Sequence, residues 1–92
     1  MSTYFMFGRY SQDSASKISS KRTSDAMTLI NANGGKFKSG YALLGKYDLC
    51  LLVDFPNLEA ALKTSVALSK LLGIAFSTSP AVPIEEFDKL VV

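Results

Sequence analysis

Apolar and polar positions alternate along this chain in two distinct periods, and the changes of period mark its elements. Thr3 to Tyr10 holds Tyr4, Phe5, Met6 and Phe7 in succession, a strand-forming run in which Gly8 marks a bulge or a close backbone approach. The serine-rich stretch Ser11 to Ser20 is polar, with Ala15 and Ile18 spaced for one short helical turn. Ser19 or Ser20 then caps a helix running to about Asn33, with Thr23, Met27 and Ile30 on one stripe and Ala26 and Leu29 beside it. Gly34-Gly35 stops that helix by supplying positive φ. Lys36 to Leu44 returns to a period of two, with Phe37, Tyr41 and Leu43 on one face and Lys36, Lys38, Gly40, Ala42 and Leu44 on the other.

Gly45-Lys46 suits a two-residue type II′ turn, which makes the next strand, Tyr47 to Phe55, the second arm of an antiparallel hairpin. Pro56 ends that strand and Asn57 caps a second helix, with Glu59 well placed in its first turn. The stripe Leu58, Leu62, Val66, Ser69 and Leu72 is widened by Ala61, Leu68 and Leu71, an arc broader than an ordinary amphipathic face. Gly73 closes this helix. Ile74 to Ser79 predicts a fourth strand, which Pro80 and Pro83 turn into an edge or an exit. Ile84 to Leu90 predicts a short final helix anchored by Phe87 and Leu90.

The order β-α-β-β-α-β is the split βαβ pattern of ferredoxin-like α+β folds: a four-stranded antiparallel sheet plus a short C-terminal helix, in one domain over residues 1–92. Both long helices fall on one side of the sheet. The run Leu49-Cys50-Leu51-Leu52-Val53 is apolar toward both sides, and a strand of that kind needs cover on both faces. Ninety-two residues supply too few helices for that. The pattern therefore predicts a homodimer in which the uncovered sheet faces meet.

Composition sharpens this expectation. A chain of this size buries only about 60–65% of its unfolded surface, yet 48% of its residues are apolar and 11% aromatic. A subunit interface is the natural place for the surplus. The net charge of +2 comes from scattered residues with no run of five like charges, so no nucleic-acid-binding stripe is expected. Tyr4 to Phe7 is too short for a signal peptide and lacks its basic lead, and no apolar run reaches the roughly 18 residues of a membrane span. The single cysteine, Cys50, lies in the apolar strand as a small buried hydrophobe. A cytoplasmic protein is expected.

There is no histidine, which removes the commonest general base, the usual haem ligand and most zinc sites. No metal site and no bound cofactor are expected. Asp48 beside Tyr47 is the most suggestive polar pair, either a weak candidate catalytic base or a carboxylate that bonds backbone amides of its turn. Arg9 could clamp a carboxylate, and Tyr10 and Tyr41 could reach the same cleft. The candidate ligand-binding set is thus Arg9, Tyr10, Tyr41, Tyr47 and Asp48. The expected pocket lies between sheet and helices, lined by Phe5, Phe7, Tyr41, Tyr47 and Leu62.

The segment Gly34-Gly35-Lys36-Phe37-Lys38-Ser39, then Tyr41, then Leu44-Gly45-Lys46-Tyr47-Asp48, resembles the GYD domain family, named for a Gly-x-Tyr-Asp turn that is here Gly45, Tyr47 and Asp48. Asp54-Phe55-Pro56-Asn57-Leu58-Glu59-Ala60 and Leu72-Gly73 also look like it. The chain departs from the family's pattern at Gly40, at Ser77 to Ala81 and from Ser11 to Ser20. The resemblance implies a dimeric α+β barrel, in a superfamily that includes cofactor-independent oxygenases, isomerases, haem enzymes and amino-acid-sensing domains. Such breadth leaves function open. The leading expectation is a small domain that binds or senses a small apolar or carboxylate metabolite. The alternatives are a cofactor-independent monooxygenase or isomerase, and an oligomerisation module without ligand.

Overall fold

The computed structural model describes residues 1–92. Its elements are β1 (Ser2–Tyr10), α1 (Gln12–Ala15), α2 (Ser20–Ala32), β2 (Lys36–Ala42), β3 (Leu49–Phe55), α3 (Leu58–Leu72), β4 (Ile74–Ala81) and α4 (Ile84–Val91). The strands form one antiparallel sheet in the order β2-β3-β1-β4. This is the ferredoxin-like arrangement, with a single extra turn, α1, inserted after β1. Ser11 caps α1 through a reciprocal bond with Ser14, and Ser19 caps α2 by accepting from the Arg22 amide. No helix is long and apolar enough to cross a membrane.

Alternation in β1 sends Tyr4 and Met6 toward the helices, where Val53 and Phe55 of β3 meet Ala26 and Ile30 of α2 and Ala61, Leu68 and Leu72 of α3. Gly8 serves close approach and not a bulge: a Cβ there would lie 3.0 Å from Ile74, Leu49 and Phe76, and β1 pairs with β3 without a break. At the end of α2, Gly34 takes the left-handed conformation, at φ 80°, while Gly35 does not.

Four expectations are corrected. First, a bulge at Lys38 shifts the register of β2 between Phe37 and Ser39. One extra residue reverses all later side chains, so Tyr41 leaves the face of Phe37 and lies opposite Cys50. Second, the hairpin has no two-residue turn: β2 ends at Ala42, β3 begins at Leu49, and Leu43 N–H donates to the Asp48 carbonyl (2.9 Å) across a wider loop. Third, α3 is rolled from its expected orientation. The small residues Ala61 and Thr64 join Leu68 and Leu72 against the sheet, leaving Leu58, Leu62 and Val66 exposed. Fourth, Phe87 and Leu90 anchor nothing, because no residue of α4 is buried.

The Thr64 hydroxyl is fully buried with no hydrogen-bond partner. Thr64→Val removes that orphaned group while nearly keeping its volume. The variant is expected to gain about 1–2 kcal/mol, read as a higher urea midpoint.

Candidate functional site on the open sheet face

Residues directly opposite in an antiparallel pair share a face, so the register fixes what the helix-free side presents. Phe5 opposes Leu52 and Ser79, Phe7 opposes Cys50 and Ser77, and Tyr41 and Ser39 extend the same rows on β2. The Phe5 and Phe7 rings stack at 6.1 Å, and Tyr47 folds onto Phe7 at 5.2 Å. The β4 side of this face carries only small residues at Ala75, Ser77, Ser79 and Ala81. A depression of about 450 Å³ at one end is lined by Thr3, Phe5, Lys38, Leu52, Ala81 and Ile84.

The loop after β2 is fastened to the end of β1 at three places. The Asp48 amide donates to the Gly8 carbonyl (2.8 Å), and the Asp48 carboxylate accepts the Tyr10 amide (2.8 Å). Arg9 Nε and Nη2 both donate to the Lys46 carbonyl, at 3.1 and 2.8 Å. Gly45 supplies the positive φ, 118°, that the loop requires. Each signature residue of this turn thus has a physical role, in that Gly45 bends it, Tyr47 lays its ring on Phe7, and Asp48 holds the neighbouring strand. The GYD domain family's sequence profile matches residues 4–91. The chain belongs to the GYD domain family.

No curated protein matches the chain significantly. Two solved structures are similar in fold. One is the Mycobacterium tuberculosis leucine response regulatory protein (LrpA), 11% identical with a TM-score of 0.59. The other is described as a glutamate-to-alanine mutant, 12% identical with a TM-score of 0.59. Each match covers 88% of this GYD chain and 50% of the other chain, so this chain spans about half the length of those proteins. At such identities the likeness establishes the α+β fold alone.

The candidate set is divided by the sheet of this GYD domain. Arg9, Tyr41 and Tyr47 belong to the open face with Phe5 and Phe7, whereas Leu62 is exposed on the outer side of α3. The register puts Tyr10 on the helix side with Ile74, where it lines a cavity of about 80 Å³ with Ile18, Arg22, Leu51, Leu72 and Phe76. That space is too small for a metabolite of ordinary size, but a larger groove of about 380 Å³ between α2 and β2 is lined by Tyr10, Met27, Phe37, Leu51 and the strand at Tyr41. Arg22 there bonds the carbonyls of Ser14 and Leu72, tying α2 to the ends of α1 and α3.

Asp48 stands at the rim with one carboxylate oxygen committed to Tyr10. Asp48→Ala strands that amide and is expected to cost about 1–3 kcal/mol. Asp48→Asn keeps an acceptor and recovers most of the loss, an ordering that urea unfolding of the two variants tests.

Two open-face groups are not apparent from the sequence pattern. Asp54 accepts the Thr3 hydroxyl at 2.7 Å and lies 3.6 Å from Lys38. The Thr3 hydrogen bond holds its carboxyl below the usual value of 3.8, helped by Lys38 and Lys36 and opposed by burial. A lowered folded-state pKa gives stability that is complete above the unfolded value and is lost as pH falls through the folded one. Acid titration of stability is therefore expected to show a loss below pH 3.8 that Thr3→Val makes shallower, the variant being less stable at neutral pH. Cys50 is buried among the aromatic residues, and burial raises its thiol pKa, so it stays protonated at neutral pH. The signal for both residues is parity: Cys50, Leu52 and Asp54 fall on one side of β3.

Proposed function

We propose that this GYD domain is a homodimeric small-molecule-binding module, in which two open sheet faces enclose an apolar, aromatic-lined chamber. One observation carries the reading: Phe5, Phe7 and Tyr47 form a contiguous aromatic cluster on a sheet face that no helix of the chain covers. Contiguous apolar patches of that kind on small proteins mark interfaces or ligand sites. The narrow β4 side, with its alanines and serines, leaves room between two facing sheets. That supports a chamber in preference to a solid core.

The lining suits an apolar or aromatic metabolite. A carboxylate on it would be met at the rim by Arg9, whose Nη1 makes no bond within the protomer. The open-face depression, about 450 Å³, falls within the usual range of ligand pockets, about 300–1,000 Å³, as does the groove of about 380 Å³ between α2 and β2. The aromatic cluster, with the unbonded Arg9 Nη1 at its rim, favours the open face as the binding place.

The test pairs two measurements. Sedimentation equilibrium at micromolar concentration is expected to return twice the 10.0 kDa chain mass. Thermal-shift screening with aromatic and aliphatic carboxylates and their uncharged analogues is expected to find a stabilising ligand. A ligand at a hundred times its Kd adds about 2.7 kcal/mol, and Phe7→Ala should abolish the shift. A monomeric mass, or no stabilisation by any compound, overturns the reading.

A further inference from the structure

α4 is a two-turn helix in which Ile84, Phe87 and Val91 recur at helical spacing on one side, with Leu90 beside them. These four side chains are 68, 50, 63 and 75% exposed. A helix of eight residues is too short to persist in water on its own propensity. Its stability has to come from packing, and the protomer offers little, with Ile84 at the rim of the depression beside Phe5 and no residue of the helix buried. Its acidic residues are equally without partners. The ion pairs of the chain join Lys17 to Asp13, Lys21 to Asp25 and Lys38 to Asp54, leaving Glu85, Glu86 and Asp88 unpaired. Two acids in a first turn suit the helix dipole, but that accounts for neither Asp88 nor the apolar stripe.

The sheet register says where a matching surface lies. Lys36 pairs with Asp54, Asp54 with Thr3, and Thr3 with Ala81, so one row at one end of the sheet runs from the β2 edge to the β4 edge. α4 leaves the sheet from the β4 end of that row. Lys36 and the bulged Lys38 stand at its β2 end, and Lys36 has no ion-pair partner in the chain. Consider two open faces related by a two-fold axis parallel to the strands. The rotation keeps every row at its own level and exchanges left for right. The β4 edge of each copy then comes over the partner's β2 edge, which brings an acidic helix to a pair of lysines. A two-fold axis across the strands would instead set α4 near the partner's Ala75, where no such match exists.

We propose that α4 is an exchanged arm that docks on a second copy of this chain. Its apolar stripe closes the end of the partner's open face, over the depression beside Phe5 and Leu52, and its acids meet the partner's Lys36 and the partner's Lys38. The inference rests on the face-to-face dimer proposed above and adds the direction of its axis. It also makes each binding chamber incomplete without the other copy's helix.

Charge exchange tests it. Glu85→Lys with Glu86→Lys forms one variant, and Lys36→Glu with Lys38→Glu forms the other. Each alone brings like charges together at both junctions and is expected to raise the dimer Kd by about tenfold or more. In an equimolar mixture both junctions become complementary, so heterodimers are expected to predominate in native mass spectrometry. Variants that self-associate like the wild type, with no heterodimer preference, overturn the arm while leaving the dimer standing. A wild-type chain that sediments as a monomer overturns both.

A second measurement leaves the protein unmutated. Mixed 14N and 15N wild-type chains are treated with a carbodiimide, which joins carboxylates to amines in contact. Products joining Lys36 or Lys38 to Glu85, Glu86 or Asp88 are expected to carry both isotopes. Single-isotope products alone would place the contact within one chain and refute the exchange.

Discussion

Leu52→Asp is expected to leave the protomer folded and to convert it to a single-chain particle. Leu52 lies mid-face on β3, between Phe5 on β1 and Ser39 on β2, and turns away from the helices. In one free copy the new carboxylate faces water, so circular dichroism should not change. In the proposed face-to-face dimer it would be trapped among apolar side chains. An uncompensated buried charge costs about 3–5 kcal/mol, and every 1.4 kcal/mol is tenfold in affinity. The dimer Kd is therefore expected to rise by roughly a hundredfold to several thousandfold, and by more if both copies' carboxylates meet at the axis. Sedimentation equilibrium across a concentration series reads this directly. A variant that keeps the wild-type mass would show that this face is not the interface.

Phe55→Ala is expected to cost the most protomer stability of any single truncation, about 3–5 kcal/mol. A 92-residue domain has roughly 5–14 kcal/mol in total, so much of the population unfolds at modest urea. Phe55 is fully buried, packs edge-to-face on Tyr4 at 5.6 Å, and fills the space where Gly35 has no side chain. A Cβ at Gly35 would lie 2.7 Å from Phe55 Cε1 and 2.8 Å from Ile30 Cγ2. Gly35→Ala should therefore cost about 1–3 kcal/mol by overpacking. Because the two residues contend for one volume, Gly35→Ala combined with Phe55→Leu is expected to lose less than the sum of the single changes. Additive losses would refute the shared-volume account.

The elements were legible where local chemistry decides them. Ser19, Asn57, Gly34 and Gly73 carry end signals that depend on their own backbone and nearest neighbours, and the structure uses all four. The placement of Tyr41 was not legible, because the bulge at Lys38 arises from pairing with β3 and has no sequence mark of its own. The roll of α3 was missed for a related reason. Its apolar arc is wide enough to serve two faces, and close packing selected the one with Ala61 and Thr64. The Gly-x-Tyr-Asp turn was readable as a motif, but not as a clasp on β1, since Arg9 and Tyr10 lie 37 and 38 residues from their partners. Parity alone would have joined Phe5, Phe7, Cys50 and Leu52 on one face, had the strands been counted from their paired residues.

The two rims of the sheet also govern how copies can accumulate. β2 exposes a rim broken by a bulge and studded with Lys36 and Lys38, and β4 carries Pro80, which has no amide hydrogen to offer. Lysines, bulges and proline are the devices by which natural sheets refuse an added strand. Growth sideways into a continuous ribbon is thereby blocked on both flanks. The flat surface carries no such device, so any addition of copies through the sheet has to be face to face.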